Sequence, residues 1–121
     1  MGGRKVLIVE DEGVAAFALE LELRSIGFND ITTISSGEEA LQFALRKKPD
    51  VIFMDIHLED NLMGTDVVRQ LHTQIKIPII YMTASQDTRI ARQMQMTDYV
   101  GILQKPYLTA EIIKLVYEIF P

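Results

Sequence analysis

The chain has 121 residues, 48% of them apolar, and a formal net charge of -5. That length holds one domain around a single core, and the absence of cysteine excludes a disulfide framework, a thiolate nucleophile and a cysteine zinc site. The acidic balance disfavours nonspecific nucleic-acid binding, and the apolar stretch after Met1-Gly-Gly-Arg-Lys5 is too short for a signal peptide or a membrane span, so a soluble cytoplasmic protein is expected.

Residues 5–9 read as a wholly buried strand. The segment Glu12–Ser25 that follows places Ala15, Ala16, Leu19 and Leu23, with Ile26 beyond, at helical spacing, and Gly27 and Asn29 stop it. Ile31–Ile34 is a short second strand. A capping serine in Ser35-Ser-Gly-Glu38 opens a helix over Glu38–Lys47, with Ala40, Leu41, Ala44 and Leu45 inward and Pro49 at its end. Val51–Met54 is the third strand, Ile56–Met63 a loop and Gly64–Thr73 a helix facing Val67, Val68 and Leu71 inward. Pro78–Met82 is the fourth strand, Asp87–Gln95 a helix, Val100–Gln104 the fifth strand and Thr109–Phe120 the last helix, presenting Ile112, Ile113, Val116, Ile119 and Phe120.

Apolar strands without in/out alternation imply a parallel sheet covered on both faces. Right-handed crossovers then give a three-layer α/β/α sandwich, a (βα)5 flavodoxin-like fold whose expected strand order is 2-1-3-4-5. Residues 1–4 are expected to be an N-terminal extension and residues 5–121 the folded domain. No internal repeat, linker or low-complexity stretch interrupts it.

In such sheets ligands bind beyond the carboxyl ends of the strands. Four strand ends here deliver acids, an acid, a hydroxyl and a cation: Glu10 and Asp11, Asp55, Thr83, and Lys105 followed by Pro106. Taken singly, each has an ordinary reading. Glu10-Asp11 suits a helix N-terminus, Asp55 a solvated loop, Thr83 a plain strand end and Lys105 the surface.

Together they point elsewhere, because carboxylates converging on one spot repel and a hard divalent cation relieves them. Magnesium, with manganese able to substitute, would take Asp11 and Asp55 directly, the main-chain carbonyl of His57 as a third ligand, and Glu10 through a water. The His57 imidazole is no candidate ligand, since magnesium prefers oxygen and the other histidine, His72, sits in a distant helix. Lys105 would pair with Asp55 and later with phosphoryl oxygens, and the Thr83 hydroxyl would donate to the same group. Phosphoryl transfer needs such positioning and charge neutralisation above all. Neither a P-loop nor a dinucleotide fingerprint nor a serine elbow is present.

Five segments in this order, Val6-Leu-Ile-Val-Glu10-Asp11-Glu12, Ser36-Gly-Glu-Glu-Ala-Leu41, Pro49-Asp-Val-Ile-Phe-Met-Asp55-Ile, Pro78-Ile-Ile-Tyr-Met-Thr83-Ala84 and Lys105-Pro106-Tyr107, give the chain a close resemblance to the receiver domain of two-component response regulators over nearly its whole length. The resemblance implies that Asp55 takes a phosphoryl group from the phosphohistidine of a sensor kinase or phosphotransfer protein, with Glu10 and Asp11 organising magnesium and Thr83 and Lys105 contacting the phosphoryl group. It also implies a switch that catalyses its own phosphorylation and hydrolysis and signals through the face formed by the fourth helix, fifth strand and fifth helix, where a homodimer or an effector would dock.

Two departures from the family pattern stand out. The aromatic residue usual three positions before the lysine is Ile102 here, and the loop His57-Leu-Glu-Asp-Asn-Leu-Met-Gly64 is of a longer, proline-free form. The resemblance marks His57 and Ser85 as positions that tune phosphoryl lifetime. Both a free-standing receiver and a piece of a larger regulator or hybrid kinase are compatible with the sequence. The competing functions are a receiver-like interaction module that does not depend on phosphorylation and a magnesium-dependent phosphatase. The phosphatase would need a second acid where His57 stands.

Overall fold

Every residue of the strands that end in Asp55 and Thr83 is buried, as uninterrupted apolar runs covered on both faces require. The computed structural model describes all 121 residues. Strands β1 (Lys5–Val9), β2 (Asp30–Ile34), β3 (Val51–Asp55), β4 (Ile79–Thr83) and β5 (Gly101–Gln104) alternate with helices α1 (Gly13–Ser25), α2 (Gly37–Lys47), α3 (Gly64–His72), α4 (Thr88–Gln95) and α5 (Thr109–Ile119). The sheet is parallel throughout, in the expected order β2-β1-β3-β4-β5.

Alternate residues of each strand point to opposite faces, and the core divides accordingly. Leu7, Val9, Ile52, Met54 and Tyr81 pack with Ala40, Leu41 and Ala44 of α2, Val67, Val68 and Leu71 of α3, and Met94 of α4. Val6, Ile8, Phe53, Ile80 and Met82 pack with Ala16, Leu19 and Leu23 of α1 and Ile112 and Val116 of α5. Each such large side chain contributes about 1.5–3 kcal/mol by leaving water, so both layers are needed to hold the sheet. No helix is long and apolar enough to cross a membrane.

The elements match the sequence reading to within a residue or two, and the shifts have local causes. Helix α1 begins at Gly13 because Glu12 is extended and its N–H goes to Glu10 Oε2 at 3.3 Å. Ser36 caps α2 by accepting the Glu39 N–H. Lys48 ends that helix in the left-handed region, at φ 50°, with Pro49 forbidding continuation. The loop from Ile56 to Met63 is confirmed as non-helical; Gly64 N–H donates to the Ile56 carbonyl at 2.7 Å and closes its base.

Two adjacent residues at that closure are expected to respond in opposite directions. A Cβ on Gly64 would overlap the Asp55 carbonyl oxygen and press on Met54, so Gly64→Ala should destabilise by about 1–3 kcal/mol, typical of overpacking. Thr65 is fully buried and its hydroxyl has no hydrogen-bond partner. Thr65→Val should therefore raise stability by about 1 kcal/mol, the cost of an unsatisfied buried hydroxyl. Urea unfolding of the two variants checks both signs.

Candidate active site

The rim is assembled by strand register. Val9 pairs with Met54, Asp55 with Met82 and Thr83 with Gln104, so the ends of β1, β3 and β4 step forward one residue at a time and Glu10, next after Val9, falls level with Asp55. The ladder also runs one step past the strands. Glu10 N–H donates to the Ile34 carbonyl at 3.1 Å and Lys105 N–H to the Thr83 carbonyl at 2.7 Å. Glu10 and Lys105 are thereby fixed by backbone bonds, and a cis Lys105-Pro106 peptide follows.

The three acids meet as expected: carboxylate oxygens of Glu10, Asp11 and Asp55 lie within 4.8 Å of one another. Glu10 and Asp55 are buried, and Asp11 is exposed at the mouth. Lys105 Nζ stands between the inner two, 2.6 Å from Glu10 Oε1 and 3.3 Å from Asp55 Oδ2. The shorter contact is thus to Glu10, whereas the sequence reading paired the lysine with Asp55. The other Asp55 oxygen, Oδ1, accepts the Ile56 N–H at 2.7 Å.

Burial, then the hydrogen bond and charge of Asp55, push the Glu10 carboxyl above its ordinary range, and Lys105 offsets this only in part. Burial lowers the affinity of Lys105 for its proton, but the hydrogen bond to Glu10 and the charge of Asp55 outweigh it and hold the ammonium above its usual value. A carboxyl raised in the folded state favours folding below its unfolded pKa and loses that contribution as pH rises through the folded value. Glu10 therefore works against folding near neutrality even with Lys105 beside it.

Thr83 is buried, and its Oγ1 accepts the Ser85 N–H at 3.0 Å. Its own hydroxyl hydrogen remains free to donate toward the rim. Ser85 Oγ in turn accepts the Asp87 N–H at 3.0 Å. His57 is exposed at the start of the loop, with its backbone bridged to Met63. His72 lies away from the rim on α3, where its Nε2 meets the Ile77 carbonyl at 3.1 Å.

Two polar connections escaped the sequence reading. At the tip of the loop Asp60 accepts from Ser36 and from the first amides of α2. The Tyr81 hydroxyl meets Thr97 Oγ1 at 2.8 Å, and Thr97 donates to the Met94 carbonyl at the end of α4. A buried tyrosine two residues before Thr83 was the available signal for the second, since a buried phenol seeks a partner. The partners of Asp60 are more than twenty residues away in sequence, and no local pattern announces them.

The response regulator receiver domain family matches residues 6–117. The chain belongs to that family. Among curated relatives it is 34% identical over 113 residues to the alkaline phosphatase synthesis transcriptional regulatory protein PhoP of Bacillus subtilis, covering 90% of this chain and 45% of that protein. It is 36% identical over 111 residues to the sensory transduction protein RegX3 of Mycolicibacterium smegmatis, covering 89% and 46%. The receiver domain therefore spans about half the length of these relatives. A solved receiver domain of the sensor histidine kinase PA1611 from Pseudomonas aeruginosa, with magnesium coordinated in its active site cleft, is 31% identical with a TM-score of 0.84, covering 98% of this chain and 99% of that one. The receiver domain of a modulated diguanylate cyclase from Desulfovibrio desulfuricans is 32% identical with a TM-score of 0.87, covering 97% and 90%.

Within this receiver domain the acidic cluster matches a magnesium and phospho-aspartate active site in kind and place. Lys105→Ala removes the cation nearest Glu10. The Glu10 carboxyl should then titrate higher still, which carbon-detected NMR titration of its side chain measures; an unchanged midpoint would show that the ion pair does not hold in solution.

Proposed function

We propose that the domain is a phosphorylation-dependent switch that accepts a phosphoryl group on Asp55 from the phosphohistidine of a sensor kinase or phosphotransfer protein. The observation that carries this reading is the buried Asp55 carboxylate, held at one oxygen by the Ile56 N–H and at the other by Lys105. A carboxylate so fixed is oriented for attack before the donor arrives. An Asp55 oxygen forms the bond to phosphorus as the bond from phosphorus to the donor imidazole breaks, and the imidazole leaves with that electron pair.

Magnesium fits the all-oxygen donor set of Asp11, Asp55 and the His57 main-chain carbonyl, with Glu10 acting through water, and it would supply neutralisation of the carboxylates and of the incoming phosphoryl oxygens. Lys105 remains paired with Glu10 while its contact with Asp55 passes to a phosphoryl oxygen. Thr83 donates its free hydroxyl hydrogen to the phosphoryl group. The same residues serve the return reaction, in which water takes the phosphoryl group from Asp55. His57 and Ser85 flank the approach and tune its rate.

Movement of Thr83 toward the modified aspartate is the transmission step. Ile102, about 39% exposed on β5, has no hydroxyl-bearing ring to reorient. The face formed by α4, β5 and α5 nonetheless offers the exposed apolar side chain of Ile102, with Leu108 at the start of α5. This supports a homodimer or an effector protein as its occupant. Ile102 also favours a second reading, a receiver-like interaction module that works without phosphorylation.

Incubation with acetyl phosphate, followed by intact mass, separates the two. The switch predicts a magnesium-dependent gain of one phosphoryl group that is lost in Asp55→Ala and strongly reduced in Asp11→Asn. No gain from acetyl phosphate or from phosphorylated kinases would favour the constitutive module.

A further inference from the structure

The loop that follows the acceptor is fastened at its tip to a helix that is not its own. Asp60 Oδ2 accepts from Ser36 Oγ at 3.0 Å and from the Glu38 N–H at 3.1 Å, while Oδ1 accepts from the Gly37 N–H at 3.2 Å. Ser35 Oγ adds a bond to Glu59 Oε1 at 2.9 Å. These amides are among the orphan donors of the first turn of α2, which also carries the positive end of the helix dipole. Ser36 is already the local cap of α2, so the Asp60 carboxylate completes from outside a cap that Ser36 begins.

The close approach is built into the residues. Leu58 is buried and Leu62 half-buried beneath the tip, and a Cβ on Gly37 would stand 2.9 Å from Val67 and 3.2 Å from both Leu58 and Leu62. Any larger residue at Gly37 would have to push these side chains aside for the helix start to lie so near the loop. Asn61, at φ 62°, then turns the chain back toward α3. At the other end of the same loop, Ile56 N–H holds Asp55 Oδ1 and the Ile56 carbonyl is held by Gly64 N–H.

We infer that Asp60 is a positioning residue of the phosphorylation site: its carboxylate latches the loop to α2 and so fixes the Ile56 amide on the acceptor and the His57 backbone beside the acidic cluster. The inference rests on the magnesium-dependent phosphoryl-acceptor reading of that cluster. Asp60 touches none of the reacting groups. It acts through the path from the loop tip to Ile56 and His57, which joins the start of α2 to the acceptor strand. Groups that orient metal ligands at one remove typically change affinity by about 10–100-fold when removed.

The test uses the purified chain without phosphate, titrated calorimetrically with magnesium chloride, alongside amide hydrogen exchange at Ile56 and Gly64, whose N–H groups hold Asp55 and the Ile56 carbonyl, without metal. Asp60→Ala should weaken magnesium by about tenfold and speed exchange at both amides. Asp60→Asn keeps an acceptor oxygen and should fall between. Ala44→Gly loosens α2 away from the loop; it should lower the melting temperature and leave both readouts unchanged. The latch is overturned if Asp60→Ala leaves exchange at Ile56 and Gly64 unchanged, if it leaves magnesium binding unchanged, or if Ala44→Gly weakens magnesium as much. Failure of the unsubstituted chain to bind magnesium would instead overturn the reading of the acidic cluster, and the proposed role of Asp60 with it.

Discussion

Mutual repulsion among Glu10, Asp11 and Asp55, confined within 4.8 Å at the edge of a buried sheet, is the constraint on which the rest of the structure depends. Two of these carboxylates are buried, where water screens them poorly. Lys105 relieves the inner pair, and backbone bonds past the ends of β1 and β5 hold both sides of that contact. One ammonium beside three acids leaves a net negative pocket. That excess suits the site to an added cation and, once the cation is present, to a phosphoryl group.

The hydrophobic layers matter to this chemistry because they set register. A one-residue slip of a strand would exchange its two faces and carry its terminal side chain away from the rim. Burial of Val6, Ile8 and Phe53 on one side and Leu7, Val9 and Met54 on the other forbids that slip. The cost of collecting like charges is therefore met by apolar packing remote from them.

Besides the short path from Thr83 through Ser85 to Asp87 at the start of α4, two longer polar threads leave the site. One runs from Asp55 through Ile56 and the loop to Asp60 and the start of α2. The other begins on β4, where Tyr81 lies two residues before Thr83, and reaches the end of α4 through Thr97. With Ile102 on β5 in place of an aromatic ring, the bond from Tyr81 to Thr97 ties the strand that carries Thr83 to the C-terminal end of α4, as the Thr83–Ser85–Asp87 path ties it to the start of that helix. The bond to Thr97 is buried enough that the phenol is pushed up to about 12 by desolvation, so it stays a neutral hydrogen-bonding group at physiological pH.

The sequence by itself determined the alternation of elements, the two-faced core and the convergence of Glu10, Asp11, Asp55, Thr83 and Lys105, because each follows from periodicity or from a polar residue ending an apolar run. Parallel topology then forces all those ends to one edge. Only the tertiary structure decided how the polar atoms pair. Lys105 prefers Glu10 to Asp55 because backbone ladders on two strands aim them at each other. Asp60 finds Ser36, Gly37 and Glu38 because Gly37 permits a close approach. Such bonds depend on distances between segments far apart in the chain, and hydropathy patterns, which report which face of an element is buried, carry no information about them.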